Sequence, residues 1–178
     1  MNNRKKGIII LMIIAIFIVA VFVLGFIFIQ NFQGKSIETD IEAPNFTLKN
    51  LNGEDVELSQ LKGKVVLIDF WATYCKPCII ALPKIQEIHE KYSEDELVVL
   101  AINTGDKEDE IKSFIKENGY TFEILMADKD MPGDYGVRAI PFTILIDKQG
   151  NISYTRIGYR PGGGQALISE IDKLLGKD

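Results

Sequence analysis

The hydrophobic pattern divides the chain into two unlike parts. From Ile8 to Ile29, 21 of 22 residues are apolar, the exception being Gly25. At ~1.5 Å per residue such a run makes a helix of roughly 33 Å, enough to cross the hydrocarbon core of a bilayer. Beyond residue 40 the pattern breaks into short elements. Phe46-Thr47-Leu48 and Val56-Glu57-Leu58 flank Asn52-Gly53, the signature of a short hairpin. Val65 to Trp71 is nearly continuous in apolar character, as in a strand buried on both faces. Leu82, Ile85, Ile88 and Tyr92 then recur at helical spacing, and Pro83 predicts a kink because it removes one backbone bond. Leu97–Ile102 reads as a second buried strand. Asp106 is expected to open a helix with Ile111, Phe114 and Ile115 inward and Gly119 as its C-cap. Phe122–Met126 forms another strand, followed by a short helical turn. Phe142–Ile146 and Ile152–Ile157 pair across residues 147–151. Leu167, Ile168, Ile171, Leu174 and Leu175 mark a final amphipathic helix. The order of a hairpin, β-α-β-α-β, a turn, a second hairpin and a helix predicts an α/β fold. Its mixed sheet has helices on both faces.

Charge changes this picture in one respect. The chain carries a net −5, yet all 25 acidic residues follow position 37, whereas Arg4, Lys5, Lys6 and Lys35 precede it. Residues 36–178 therefore hold 16 bases against 25 acids, a net −9. That sign argues against a nucleic-acid partner, which needs clustered Lys and Arg. The bases ahead of the apolar run keep the N-terminus in the cytoplasm and place the acidic domain outside. The run is too long for a cleaved signal peptide, whose apolar region is about 7–15 residues, and no A-x-A site follows it. The expected organisation is a cytoplasmic segment 1–7, a transmembrane anchor 8–29, a tether 30–40 and one folded domain 41–178.

The chemistry concentrates in Cys75-Lys76-Pro77-Cys78, between the end of a buried strand and the start of a helix. A thiol there faces unpaired N–H groups and the positive end of the helix dipole, both of which favour the thiolate. Cys75, nearer the loop, is expected to attack, and Cys78, one turn in, to resolve the mixed disulfide. These are the only two cysteines, and with one histidine they cannot close a tetrahedral zinc site. His89 lies eleven residues past Cys78, about 16 Å along a helix, and reads as an ordinary helix residue. No metal and no cofactor beyond the Cys75–Cys78 disulfide is expected.

Asp69-Phe70-Trp71-Ala72-Thr73-Tyr74-Cys75-Lys76-Pro77-Cys78 resembles the active-site stretch of the thioredoxin superfamily, and Ile140-Pro141-Phe142-Thr143 its cis-proline loop. Together with the membrane run, Ala43-Pro44-Asn45-Phe46 and the extra α-β unit around 106–127, the likeness is to the TlpA/ResA-like membrane-anchored thiol–disulfide oxidoreductases. The resemblance implies a thioredoxin fold with an N-terminal β-hairpin and an inserted α-β unit. It assigns Asp69 as a proton relay to the resolving cysteine. It makes Pro141 a cis-proline facing the sulfurs, with Ile140 as an apolar contact for substrate. Trp71 is expected to pack near the sulfurs as a shield and to belong to the substrate-binding set, Pro77 to restrain the first helical turn, and Lys76 to add positive charge beside Cys75. Two positions depart from the pattern. Tyr74 stands where Trp usually precedes the first Cys. Ala81 stands where ResA-type reductases have an acid, which counts against a role confined to cytochrome c maturation.

The expected activity is thiol–disulfide exchange with exported proteins, as a reductase fed by a thiol-transferring membrane protein, in cytochrome c maturation or related thiol maintenance. A disulfide-forming oxidase is the neighbouring alternative. From other classes, a peroxiredoxin would place Thr three residues before its reactive Cys, and Thr73 is two before Cys75. A copper metallochaperone would want wider cysteine spacing and a distal His.

Overall fold

The computed structural model describes residues 41–177 together with Ile18, Val21 and Val23. Apart from those three helical positions, the expected anchor 8–29 lies outside the described residues, as do segment 1–7 and the tether 30–40. No helix among the described residues is long and apolar enough to cross a membrane.

The domain is built on a five-stranded sheet. Its strands are β3 (Val65–Trp71), β4 (Leu97–Asn103), β5 (Glu123–Met126), β6 (Phe142–Ile146) and β7 (Ile152–Ile157), in the order β5-β4-β3-β6-β7. β3, β4 and β5 run parallel, while β6 and β7 are antiparallel additions. Every residue of β3 is buried, as its unbroken apolar run requires of a central strand. Ahead of it, β1 (Thr47–Lys49) and β2 (Asp55–Glu57) form a separate hairpin. Asn50 Oδ1 accepts from the backbone N–H groups of Asn52 and Glu54 at its turn, and Gly53 takes a positive φ of 81°.

The helices are α1 (Lys76–Lys91), α2 (Glu108–Asn118), the four-residue α3 (Met131–Asp134) and α4 (Gly163–Leu175). Side chains alternate across β3. Val65, Leu67 and Trp71 join a cluster with Leu82, Ile85 and Ile88 of α1, Ile111 of α2 and Leu167 and Ile171 of α4. Val66, Ile68 and Phe70 face Phe46 and Leu48 of the hairpin region, Leu58, Met131 and Tyr135. The two faces are thus covered unequally: three long helices lie on one side, and only α3, a 3₁₀ turn at Leu58–Leu61 and the hairpin on the other. Right-handed crossovers explain the asymmetry. β3→α1→β4 and β4→α2→β5 step in the same direction across the sheet, so both helices fall on one face.

α1 is continuous through Pro83, which sits on its exposed face. One local expectation is corrected. Asp106 does not open α2: Lys107 is the N-cap, and Asp106 faces back toward the end of β3. Gly119 does end α2, with φ 69° and its N–H donating to the Ile115 carbonyl.

Gly162-Gly163-Gly164, at the entry to α4, has a steric reason. Gly162 takes a φ of +77°, the left-handed region that favours glycine. A Cβ at Gly163 would lie 2.6 Å from Arg156 Nη1, and Lys84 lies across Gly164.

Candidate active site

β3 ends at Trp71, and after Ala72, Thr73 and Tyr74 the chain reaches Cys75 at the N-cap of α1. Its sulfur accepts from the Cys78 backbone N–H at 3.2 Å. Cys75 and Cys78 are joined in a disulfide, with Cα atoms 5.2 Å apart. Cys75 is 8% exposed and Cys78 fully enclosed, so an incoming sulfur has access only to the first. Lys76 and Pro77 are exposed in the first turn of α1, which holds no acidic residue to offset the helix dipole. Pro77 loses no helical bond there.

Asp69 lies on the helix-covered face of β3, between Leu67 and Trp71, and is 1% exposed. Thr143 Oγ1 donates to its Oδ1 at 2.8 Å, while Oδ2 is buried without a partner. Burial pushes its carboxyl up from the ordinary 3.8 to about 7, against the Thr143 hydrogen bond and the positive charge of Arg156. A buried carboxyl with this value can take or give a proton near neutrality.

The Ile140–Pro141 bond is cis. Pro141 is buried, and its carbonyl accepts from Gly158 N–H at 2.8 Å, tying the loop to the end of β7. Ile140 is half-buried. Trp71 needs correction as a substrate contact. It packs in the same core cluster as both cysteines, but it is fully enclosed and its ring meets Phe114 at a centroid distance of 5.4 Å. It supports the site from beneath. The exposed aromatic next to the dithiol is Tyr74, at 70% exposure. His89 is half-buried on α1, edge-on to the Phe122 ring at 6.4 Å. Ala81 is buried and carries no charge toward the dithiol.

Asp106 and Asn103 are site residues that sequence reasoning missed. Asp106 accepts from Thr73 N–H at 2.6 Å, from Thr73 Oγ1 at 2.7 Å and from Asn103 Nδ2 at 2.7 Å. Asn103, 1% exposed, accepts in turn from the N–H groups of Gly105 and Asp106. Burial pulls the Asp106 carboxyl upward, but the Asn103 and Thr73 donors together outweigh it and hold the group below its ordinary value. The result clamps the loop that delivers Cys75 onto the end of β4. A usable signal was present: a polar Asn closing an apolar strand needs partners.

A dithiol on the first turn of a helix, one sulfur at the rim and one sealed, with a buried carboxyl on the sheet face that helix covers and a cis-proline loop whose Ile140 packs against the same cluster, defines a thioredoxin-fold thiol–disulfide oxidoreductase. The comparisons agree. Residues 40–155 match the AhpC/TSA family. The chain is 34% identical over 179 residues to the thiol-disulfide oxidoreductase ResA of Halalkalibacterium halodurans, covering 98% of each. It is 38% identical over 125 residues to the thioredoxin-like protein YneN of Bacillus subtilis, covering 68% of this chain and 73% of that one. Among solved structures, a putative thiol:disulfide interchange protein DsbE from Chlorobium tepidum superposes with a TM-score of 0.73. It is 32% identical, and the match covers 79% of this chain and 100% of that one. The chain belongs to the AhpC/TSA family, among its thioredoxin-like thiol–disulfide oxidoreductases of the ResA and DsbE type.

Proposed function

We propose that the protein is a membrane-anchored, extracytoplasmic reductase of disulfides in exported proteins. The observations that carry this reading are a sealed Cys78 in the first turn of α1 and, on the sheet face that α1 covers, a buried Asp69 whose carboxyl is pushed up to about 7. The Cys75 thiolate attacks a client disulfide. The client S–S bond breaks, one client sulfur leaves as a thiolate and takes a proton from solvent, and the other becomes joined to Cys75. The Asp69 carboxylate then accepts the Cys78 proton. The Cys78 thiolate attacks Cys75 Sγ, the second client thiolate leaves, and the Cys75–Cys78 disulfide forms. Two electrons have passed from the dithiol to the client, and a membrane thiol donor of the same chemistry restores them.

The client is held as an extended segment along the backbone ahead of Pro141, where chain-to-chain hydrogen bonds require no particular sequence. Tyr74, Ile80 and Tyr159 are exposed large apolar side chains on the segments around the dithiol and the cis-proline loop, and they favour apolar flanks on the client. Ala81 supports general thiol maintenance over a function tied to cytochrome c maturation. The anchor reading rests on the apolar run 8–29 and the bases before it.

The test is the reduction potential of the Cys75/Cys78 couple in defined thiol buffers. A value near that of thioredoxin, about −270 mV, is expected, whereas one near about −120 mV would make the protein an oxidant of its clients.

A further inference from the structure

The sheet carries a line of polar side chains on its helix-covered face. Register sets Asp69 of β3 opposite Thr143 of β6, and Thr143 opposite Arg156 of β7. Directly opposed residues project to the same face with Cβ atoms about 4.5–5.5 Å apart. The three therefore form one row, running from the buried centre of the sheet to its edge. Thr143 gives its only hydroxyl proton to Asp69 Oδ1. Arg156 is fixed at the far end, where Nη1 donates to the Gly163 carbonyl at 2.6 Å and Nε is buried with no partner. Glycine at 163 leaves the guanidinium in this position: a Cβ there would lie 2.6 Å from Nη1 and displace it.

Among the described residues, the other side chains clustered on this face beside Asp69 are uncharged. Its partner on the other side, in β4, is Ala101. In the cluster packed on this face, α1 supplies Cys78, Leu82 and Ile85, α2 supplies Ile111, and α4 supplies Leu167, Ile168 and Ile171. Among the described residues, Arg156 is the cation that the sheet aligns with the buried carboxyl.

We propose that Arg156 is a positioning residue for the dithiol: anchored by Gly163, its guanidinium acts along the Thr143 row to stabilise the carboxylate form of Asp69. Its consequence for turnover rests on the reading of Asp69 as acceptor of the Cys78 proton. Burial in so apolar a setting holds a carboxyl in its protonated form far above its ordinary range. A fixed cation two strands away opposes that effect without occupying the space around the sulfurs. Gly163 becomes part of the same device.

The experiment follows the Asp69 carboxyl carbon by NMR against pH in the full-length, oxidised, 13C-Asp-labelled chain, with the signal assigned by its loss in Asp69→Asn. Arg156→Gln is expected to move the titration alkaline by about one pH unit, the shift from a charge two strands away at an effective dielectric of roughly 20. Arg156→Lys should recover most of the shift. Gly163→Ala, which keeps the arginine but displaces it, should move the titration the same way, and it supplies the test if Arg156→Gln does not fold. An Asp69 titration unchanged in both variants would overturn the proposal. The pH profile of mixed-disulfide release, measured in parallel, should move with the carboxyl. If the carboxyl moves and the release profile does not, Arg156 still sets Asp69, and the base role of Asp69 is what fails.

Discussion

At the scale of single residues, Asp69 is the costliest choice in the domain. A neutral side chain there would pack in a central strand without penalty, whereas a carboxylate with one unpaired oxygen must be desolvated. The sign of its effect on stability follows from its shift. Its value rises from 3.8 to about 7 on folding, so the folded protein holds a proton that the unfolded chain releases between those limits. Stability therefore falls as pH rises through that window, by ~4 kcal/mol at ~1.4 kcal/mol per pH unit. Asp69→Asn cannot ionise. Its stability relative to the parent should climb by up to ~4 kcal/mol between about pH 4 and pH 8 in denaturant titrations of the oxidised chain. Parallel curves for the two proteins would mean that the Asp69 carboxyl is not raised on folding and is not tuned to exchange a proton near neutrality.

At the scale of elements, the site depends on how two loops are joined. The loop after β3 delivers Cys75 to α1, and the loop after β4 holds it through Asp106, 33 residues away in sequence from Thr73. Removing the carboxylate by Asp106→Ala strands three donors. It should cost about 2–3 kcal/mol, since hydrogen bonds to a charged group are worth ~1.5–3 kcal/mol. Because the loop positions the attacking sulfur, exchange by Cys75 should also slow by roughly tenfold or more. A variant that lost stability yet kept parental exchange rates under folding conditions would show that the clamp serves the fold alone. The strands of this site were legible in the chain. Phe142–Ile146 and Ile152–Ile157 stand at their expected limits, because unbroken or alternating apolar runs end where the core ends. Of the clamp, only Asn103 left a signal in the chain. Asp106 heads a run of acids suited to a helix N-terminus, and only the parallel pairing of β3 with β4 brings it to Thr73. Trp71 misled for a related reason: its place in sequence, four before Cys75, says nothing about which face of the strand it takes or how deeply α2 covers it. The covering of one face by all three long helices was implicit in the strand order, which local patterns do not give.

At the scale of the whole molecule, the distribution of charge matters more than its sum. Residues 36–178 carry a net −9, whereas Arg4, Lys5 and Lys6 precede the apolar run. An anionic cytoplasmic leaflet attracts juxtamembrane bases at about 1 kcal/mol each and repels a strongly acidic domain on the same side. Both forces support the proposed placement of the domain outside the cell. A dithiol placed there meets an oxidising environment, so a reductase must be resupplied with electrons through the membrane. The chain offers its own reporter of this arrangement, because Cys75 and Cys78 are its only cysteines. After treatment of intact cells with an impermeant phosphine, an impermeant maleimide should label the protein at Cys75, the sulfur with access to solvent. The labelled chain should stay with the membrane through an alkaline carbonate wash at its full mass of 20.0 kDa plus the label. Labelling that required permeabilised cells would place the dithiol in the cytoplasm, and the proposed clients and electron supply would fall with the anchor reading. Loss of the chain to the wash at a reduced mass would instead mean that the apolar run is removed after export. The exchange chemistry would survive that outcome, but the donor would then have to reach a domain no longer confined near it.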